Sequence, residues 1–205
     1  MLGLPKTTQI NKPLSKRAVF EKFKPSPADR KLFDEQITRL TIAAEISPQT
    51  MAVSPGAEVA AIYVILVSLK TAACDKRNLA LLSRLIGQHM LFALQCNGEV
   101  RQAVCRAGKV FFSASRPAED WALTLTGLDL DAIWGNLIAQ IGGIAWGGDK
   151  TLDETIRQND RIERLNRQIA ALEKKAMAER QPRRKWELAE EIRRLRLELE
   201  EDFNE

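Results

Sequence analysis

The apolar positions of this chain change period several times, and each change marks an element. From Val59 to Leu69 the run Val-Ala-Ala-Ile-Tyr-Val-Ile-Leu-Val-Ser-Leu is apolar on both alternating sets of positions. A strand with one wet face would alternate, so this segment is expected centrally in a sheet with both faces covered. His89 to Cys96 is a second strand of this kind. Asn97-Gly98 follows it and suits a type I′ turn, whose two central residues need positive φ. Between the two strands, Lys76 to Ile86 carries Leu79, Leu82, Leu85 and Ile86 at helical spacing, with Gly87 as its stop. A strand–helix–strand unit closes as a right-handed crossover, so strands 59–69 and 89–96 are expected parallel. Strands 89–96 and 99–106 are expected antiparallel.

Before this unit, Ser26-Pro27-Ala28-Asp29 reads as a helix start with a capping hydroxyl, a proline at the first position and an acid in the first turn. Leu32, Phe33, Ile37 and Leu40 keep one stripe, which predicts a helix over 27–39, then a strand over 40–46 and a turn at Ser54-Pro55-Gly56. The first 25 residues carry turn and extended signals at Pro5, Pro13 and Pro25. After the hairpin, Val110 to Ala114 continues the meander and Trp121 to Thr126 is a candidate edge strand. Leu130 to Ile141 is a helix with one broad apolar face, and Gly142-Gly143 with Gly147-Gly148 marks a break.

The last fifty residues repeat differently. Ile162, Leu165, Ile169, Leu172 and Ala176 step by three and four, and Leu188, Ile192, Leu195 and Leu199 do so again after Pro182. Proline fits a helix's first turn but not its interior. Two helices meeting at Pro182 are therefore favoured over one kinked helix. Their narrow seam suits an antiparallel coiled-coil hairpin whose tip presents Arg180, Arg183, Arg184 and Lys185. The fold class is thus α+β: a mixed β-sheet core with flanking helices and a C-terminal helical hairpin. The division expected is a basic N-terminal arm over 1–25, a core over 26–146 and the hairpin over 151–205.

Composition narrows the classes. The 205 residues are 45% hydrophobic and 28% charged, which fits a globular protein rather than a disordered one. Three cysteines and no secretory signal pattern at Met1 point to a reducing cytoplasm, and no apolar run approaches a membrane span. Cys96 and Cys105 fall far apart along the hairpin, so they are not expected to form a disulfide, and no spacing suggests zinc. The net charge of +4 is unevenly placed: residues 1–32 hold eight Lys/Arg against two acids. Lys6, Lys12, Lys16 and Arg17 in that arm, like the hairpin tip, suit contact with DNA or an acidic protein face. A lysine-rich segment that is merely solvated is the plainer alternative.

Catalytic signatures are sparse. His89 is the single histidine, and neither a serine elbow, a cysteine–histidine signature nor a phosphate-binding P-loop is present. The order of elements around residues 27–96 is similar to that of metal-dependent nucleases of the PD-(D/E)xK type. Glu45, Lys70 and Asp75 are the residues that could serve such a site. Ser68 stands two before Lys70, however, where a cation-binding acid belongs. No cofactor and no resident metal are expected.

Several segments together resemble a bacterial family known only as a domain of unknown function, number 4391. They include Leu4-Pro5-Lys6 with Asn11-Lys12, Ile62-Tyr63-Val64 running into Leu69-Lys70, and Leu81-Leu82-Ser83 with Met90-Leu91-Phe92. Gly127-Leu128, Leu130 and Trp134 follow, and Gln181-Pro182-Arg183-Arg184-Lys185 with Glu187-Leu188 closes the set. The resemblance implies no accepted active site. It also implies a neighbourhood of helicases and DNA methyltransferases in restriction-like or antiphage loci. The function expected is a non-catalytic accessory or scaffold subunit of a DNA-directed defence assembly, contacting a larger protein such as a helicase or methyltransferase, or DNA. A degenerate nuclease is the alternative, and homodimerisation through the hairpin is a further possible contact.

Overall fold

The computed structural model describes residues 3–84, 88–146 and 150–204, with the side chains of 203 and 204 left aside. Two compact units divide it, residues 1–145 and residues 146–205. Leu85, Ile86 and Gly87, expected to end a helix, and the break at Gly147-Gly148 lie outside the described residues.

The described residues of the first unit form a six-stranded mixed sheet in sequence order: β1 (Gln9–Leu14), β2 (Ile37–Ile46), β3 (Ile62–Leu69), β4 (His89–Cys96), β5 (Glu99–Arg106) and β6 (Lys109–Pro117). β3 and β4 are parallel, and the other neighbours are antiparallel. β3 is central and buries Ile62, Val64, Ile65 and Val67, as its unbroken apolar run requires. Asn97 and Gly98 have φ of 51° and 85°, and Cys96 faces Glu99 across the turn. Ala107 and Gly108, with φ of 50° and 76°, make a second turn of the same sense into β6.

Helices cover both faces. α1 (Lys16–Phe23), α2 (Pro27–Gln36) and α3 (Lys76–Ser83) share one core with Ile65, Val67, Phe92, Leu94 and Ala103. α4 (Leu130–Gly142) packs over β5 and β6 on the other face, where Phe111 closely approaches Gly142. Gly143 ends α4 in the left-handed region at φ 61°. The Asp131 carboxylate, in the first turn of α4, accepts the backbone N–H groups of Ala57 at 2.6 Å and Val59 at 2.8 Å. This ties the loop before β3 to the helix.

The strand expected over 59–69 begins at Ile62, Val59 instead donating its N–H to Asp131, and three other elements differ more. The helix starting at Pro27, capped by Ser26 Oγ accepting Asp29 N at 3.2 Å, stops at Gln36, so the strand begins at Ile37 rather than residue 40. Ile37 and Leu40 fit either period locally; pairing of Ile37 with Leu69 decides for the strand. The first 25 residues are more ordered than their turn signals suggest. β1 pairs with β2 at the sheet's edge, where Pro13 costs no ladder bond, and an extra residue at Asn11 (φ 52°) bulges the strand. α1, capped by Ser15, buries Val19 completely and sets Phe20 edge-on to Phe33 at 5.3 Å. Finally, Trp121–Thr126 forms no strand. Its Trp121 indole instead donates to the Val100 carbonyl at 2.7 Å.

The second unit pairs α5 (Leu152–Ala178) with α6 (Pro182–Asn204) as a helical hairpin. A capping box of Thr151 and Glu154 starts α5, and Pro182 opens α6. Leu165, Ile169, Ile192 and Leu195 form the buried seam. Arg161 pairs with Glu198 and Asp202, both at 2.9 Å, an early residue of α5 meeting late residues of α6, and Arg196 pairs with Glu173 at 2.6 Å.

Candidate functional site

The residues proposed for metal-dependent chemistry do not meet. Glu45 faces Tyr63 in the β2–β3 ladder, whereas Lys70 follows Leu69, which faces Ile37. Six residues separate Tyr63 from Leu69, about 20 Å at the strand rise, so Glu45 and Lys70 lie at opposite ends of the ladder. Lys70 and Asp75 do share one end, where both are tied to the end of α2. Lys70 Nζ donates to the Asp34 carbonyl at 2.6 Å, and its backbone N–H donates to the Gln36 carbonyl at 2.8 Å. The Asp75 N–H donates to Gln36 Oε1 at 2.8 Å. The Asp75 carboxylate caps α3, accepting Arg77 N at 2.8 Å and pairing with the guanidinium at 3.2 Å. The side-chain and backbone hydrogen bonds from Arg77 hold that carboxyl below its ordinary range. Asp75 and Lys70 therefore build a junction between α2, β3 and α3. Among the described residues no three His, Cys, Asp or Glu side chains group as a cation would need.

A recess of about 550 Å³ opens where β3 and β4 end, lined by Leu69, Cys74, Cys96, Glu99, Arg101 and Phe112 among others. The carboxyl ends of parallel strands are a common place for ligands. Its thiol at Cys74, however, is pushed up to about 11 by burial and then by Asp75, so it stays protonated and poorly nucleophilic at neutral pH. Arg101 is engaged over the Phe112 ring at 4.3 Å and donates to the Ser113 carbonyl at 2.9 Å.

The basic amino terminus divides into used and open cations. Lys16 is partly buried, forms an ion pair with Asp34 at 3.1 Å and donates to the Ile37 carbonyl, which fastens α1 to the α2–β2 junction. Arg17 pairs with Glu21 at 2.7 Å across one helical turn. Lys6, on a one-turn 3₁₀ helix, and Lys12, on β1, are exposed.

The hairpin tip is different in kind. Glu179 accepts the backbone N–H groups of Arg180 at 2.8 Å and Gln181 at 2.9 Å, fixing the turn between the helices. Arg180, Arg183, Arg184 and Lys185 are all exposed, with Arg183 held loosely by Glu187 at 3.4 Å. Beside them stand two exposed apolar side chains, Met177 at 84% and Trp186 at 66% exposure. A shallow recess of about 490 Å³ between the helices is lined by Lys175, Ala178, Glu179, Arg184 and Leu188, among others. Reasoning from charge singled out the four cations and passed over the exposed Met177 and Trp186. The signal was available, because both fall off the seam set by Leu172, Ala176, Leu188 and Ile192.

Comparison with known proteins agrees with the resemblance of the sequence segments. Neither a curated protein nor a solved structure matches the chain. One family model covers residues 2–199, nearly the whole length and both units. The chain belongs to the family described as Domain of unknown function (DUF4391).

Proposed function

We propose that the chain is a non-catalytic accessory subunit of a DNA-directed bacterial defence assembly, docking a larger protein through the tip of its helical hairpin. The observation that carries this reading is the exposure of Trp186 and Met177 at the same helix ends that carry the exposed Arg180, Arg183, Arg184 and Lys185. Tryptophan, methionine and arginine are enriched in protein interfaces, and exposed lysine alone is not. Leaving an indole two-thirds exposed gives up burial that the seam next to it achieves. The cations complement an acidic face on the partner, which raises the encounter rate and sets orientation. A helicase or DNA methyltransferase is the partner expected from the genomic company of this family.

The lack of a joined Glu45–Lys70–Asp75 site favours binding over metal-dependent cleavage. The seam is filled within the chain by Leu165, Ile169, Ile192 and Leu195, so homodimerisation would need another face.

The test is capture from native cells with the full chain, nuclease-treated to remove bridging DNA, beside a Trp186→Ala/Arg183→Ala/Arg184→Ala variant. A helicase or methyltransferase identified with the parent chain and lost with the variant is the expected result. Capture that disappears on nuclease treatment would instead assign the tip to DNA, and capture unaffected by the variant would place docking elsewhere.

A further inference from the structure

A second cavity carries chemistry of another kind. It holds about 320 Å³ at the end of the sheet where β4 begins and β5 turns into β6. Two of its walls are His89 and Trp134, whose rings meet edge to face at 5.1 Å. Trp134 is only 3% exposed, yet its Nε1 has no hydrogen-bond partner, and neither has the buried Nδ1 of His89. Buried polar groups are nearly always paired, so these two unpartnered atoms call for a partner. An indole N–H can only donate; the missing group must therefore present an acceptor.

The rest of the lining says which acceptor. Arg84, Arg106 and Lys109 contribute to the same cavity, and no acid does among its described lining residues. Burial and then Arg106 hold the His89 imidazole below its ordinary pKa, against the weaker pull of Asp131 and Glu58 from outside that lining. Cationic walls beside the unpartnered indole N–H of Trp134 fit an oxyanion rather than a neutral carbonyl. A phosphate can accept from indole, imidazole and guanidinium at once, since it offers several oxygens in a tetrahedral array. The volume lies at the small end of ligand sites.

We infer that this cavity binds the phosphate group of a small phosphorylated ligand, with Trp134 and His89 donating from its floor and Arg84, Arg106 and Lys109 balancing the charge. The site is separate from the hairpin tip and does not depend on the docking role.

The experiment is a titration of the full chain, labelled with nitrogen-15, followed through its tryptophan indole N–H signals at constant ionic strength in chloride. Inorganic phosphate is one titrant and adenosine 5′-monophosphate the other; Trp134→Phe assigns the relevant signal. A saturable shift of the Trp134 signal, with the other three indoles still, is expected. Equal affinity for both titrants identifies phosphate itself as the ligand chemistry, and tighter binding of the nucleotide identifies an organic phosphate. Arg106→Gln is expected to weaken binding about tenfold or more, as loss of a charged hydrogen bond does. Lys109→Gln, placed at a turn, repeats the test should the arginine variant fold poorly. No saturable shift with either titrant, or undiminished binding in both variants, overturns the proposal.

Discussion

The sheet unit and the hairpin hold themselves together by different means. In the first, α1, α2 and α3 cover one face of six strands and α4 the other, and side chains as large as Phe33, Phe92 and Leu137 are wholly buried. In the second, the four buried residues of the seam each keep 5–9% exposure, with Leu172, Ala176 and Leu199 only partly buried against them, while ion pairs cross the helices beside it. The sheet unit commits most of its apolar residues to its own interior. The hairpin needs few, which leaves Trp186 and Met177 available for a partner. On the proposed reading, stability resides in the sheet unit and recognition at the hairpin tip.

The largest effect that would break this contrast is expected in the sheet. Phe92→Ala, fully buried on β4, should cost about 3–5 kcal/mol in urea denaturation. Leu165→Ala in the seam should cost less, about 2–3 kcal/mol, because a one-layer seam relaxes and admits water. Equal losses would mean the hairpin is packed as tightly as the sheet.

Acid sensitivity separates the units further. Burial alone would raise the Asp131 carboxyl, but the backbone N–H groups of Val59, Ala57 and Glu58 outweigh it and hold it below its ordinary value. A depressed folded pKa contributes stability that is present above the unfolded value near 3.8 and is lost as pH falls through the folded one. Asp131→Asn should therefore flatten the acid limb of a stability–pH profile while leaving the hairpin's helical signal unchanged. An unaltered limb would mean the loop before β3 is not held by this carboxylate.

Arg161→Gln should cost about 1–2 kcal/mol, because it leaves Asp202, only 7% exposed, without its guanidinium, and the part owed to the more exposed Glu198 should shrink in high salt. Smallest of all, the Arg183, Arg184 and Trp186 replacements together should leave the thermal midpoint almost unmoved, because these exposed side chains fill no core and Arg183 makes only a loose ion pair. A large drop would convert the tip from a contact surface into a structural element.

Much of this architecture was legible because certain segments admit one solution. Val59–Leu69 is apolar on both faces, and Asn97-Gly98 tolerates the left-handed turn that joins β4 to β5. Pro182 can start α6 but not interrupt a longer helix. The edge strand β1 was hidden because five of its six positions are exposed and one is proline, so no alternation marks it. The Ile37 boundary was hidden because helix and strand share the same two apolar positions there, and only pairing with Leu69 separates them. At the candidate sites, charge revealed the cations of the tip. The meeting of His89 with Trp134 could not be read from sequence, because β4 and α4 lie some forty residues apart and only the packed sheet brings them together.

The most direct measurement is hydrogen–deuterium exchange on the full chain, alone and in the complex captured from native cells. New protection confined to residues 177–188, with the strands β1 to β6 exchanging as before, is the expected result. Protection that falls on the sheet unit while the tip exchanges freely would contradict the assignment of recognition to the hairpin.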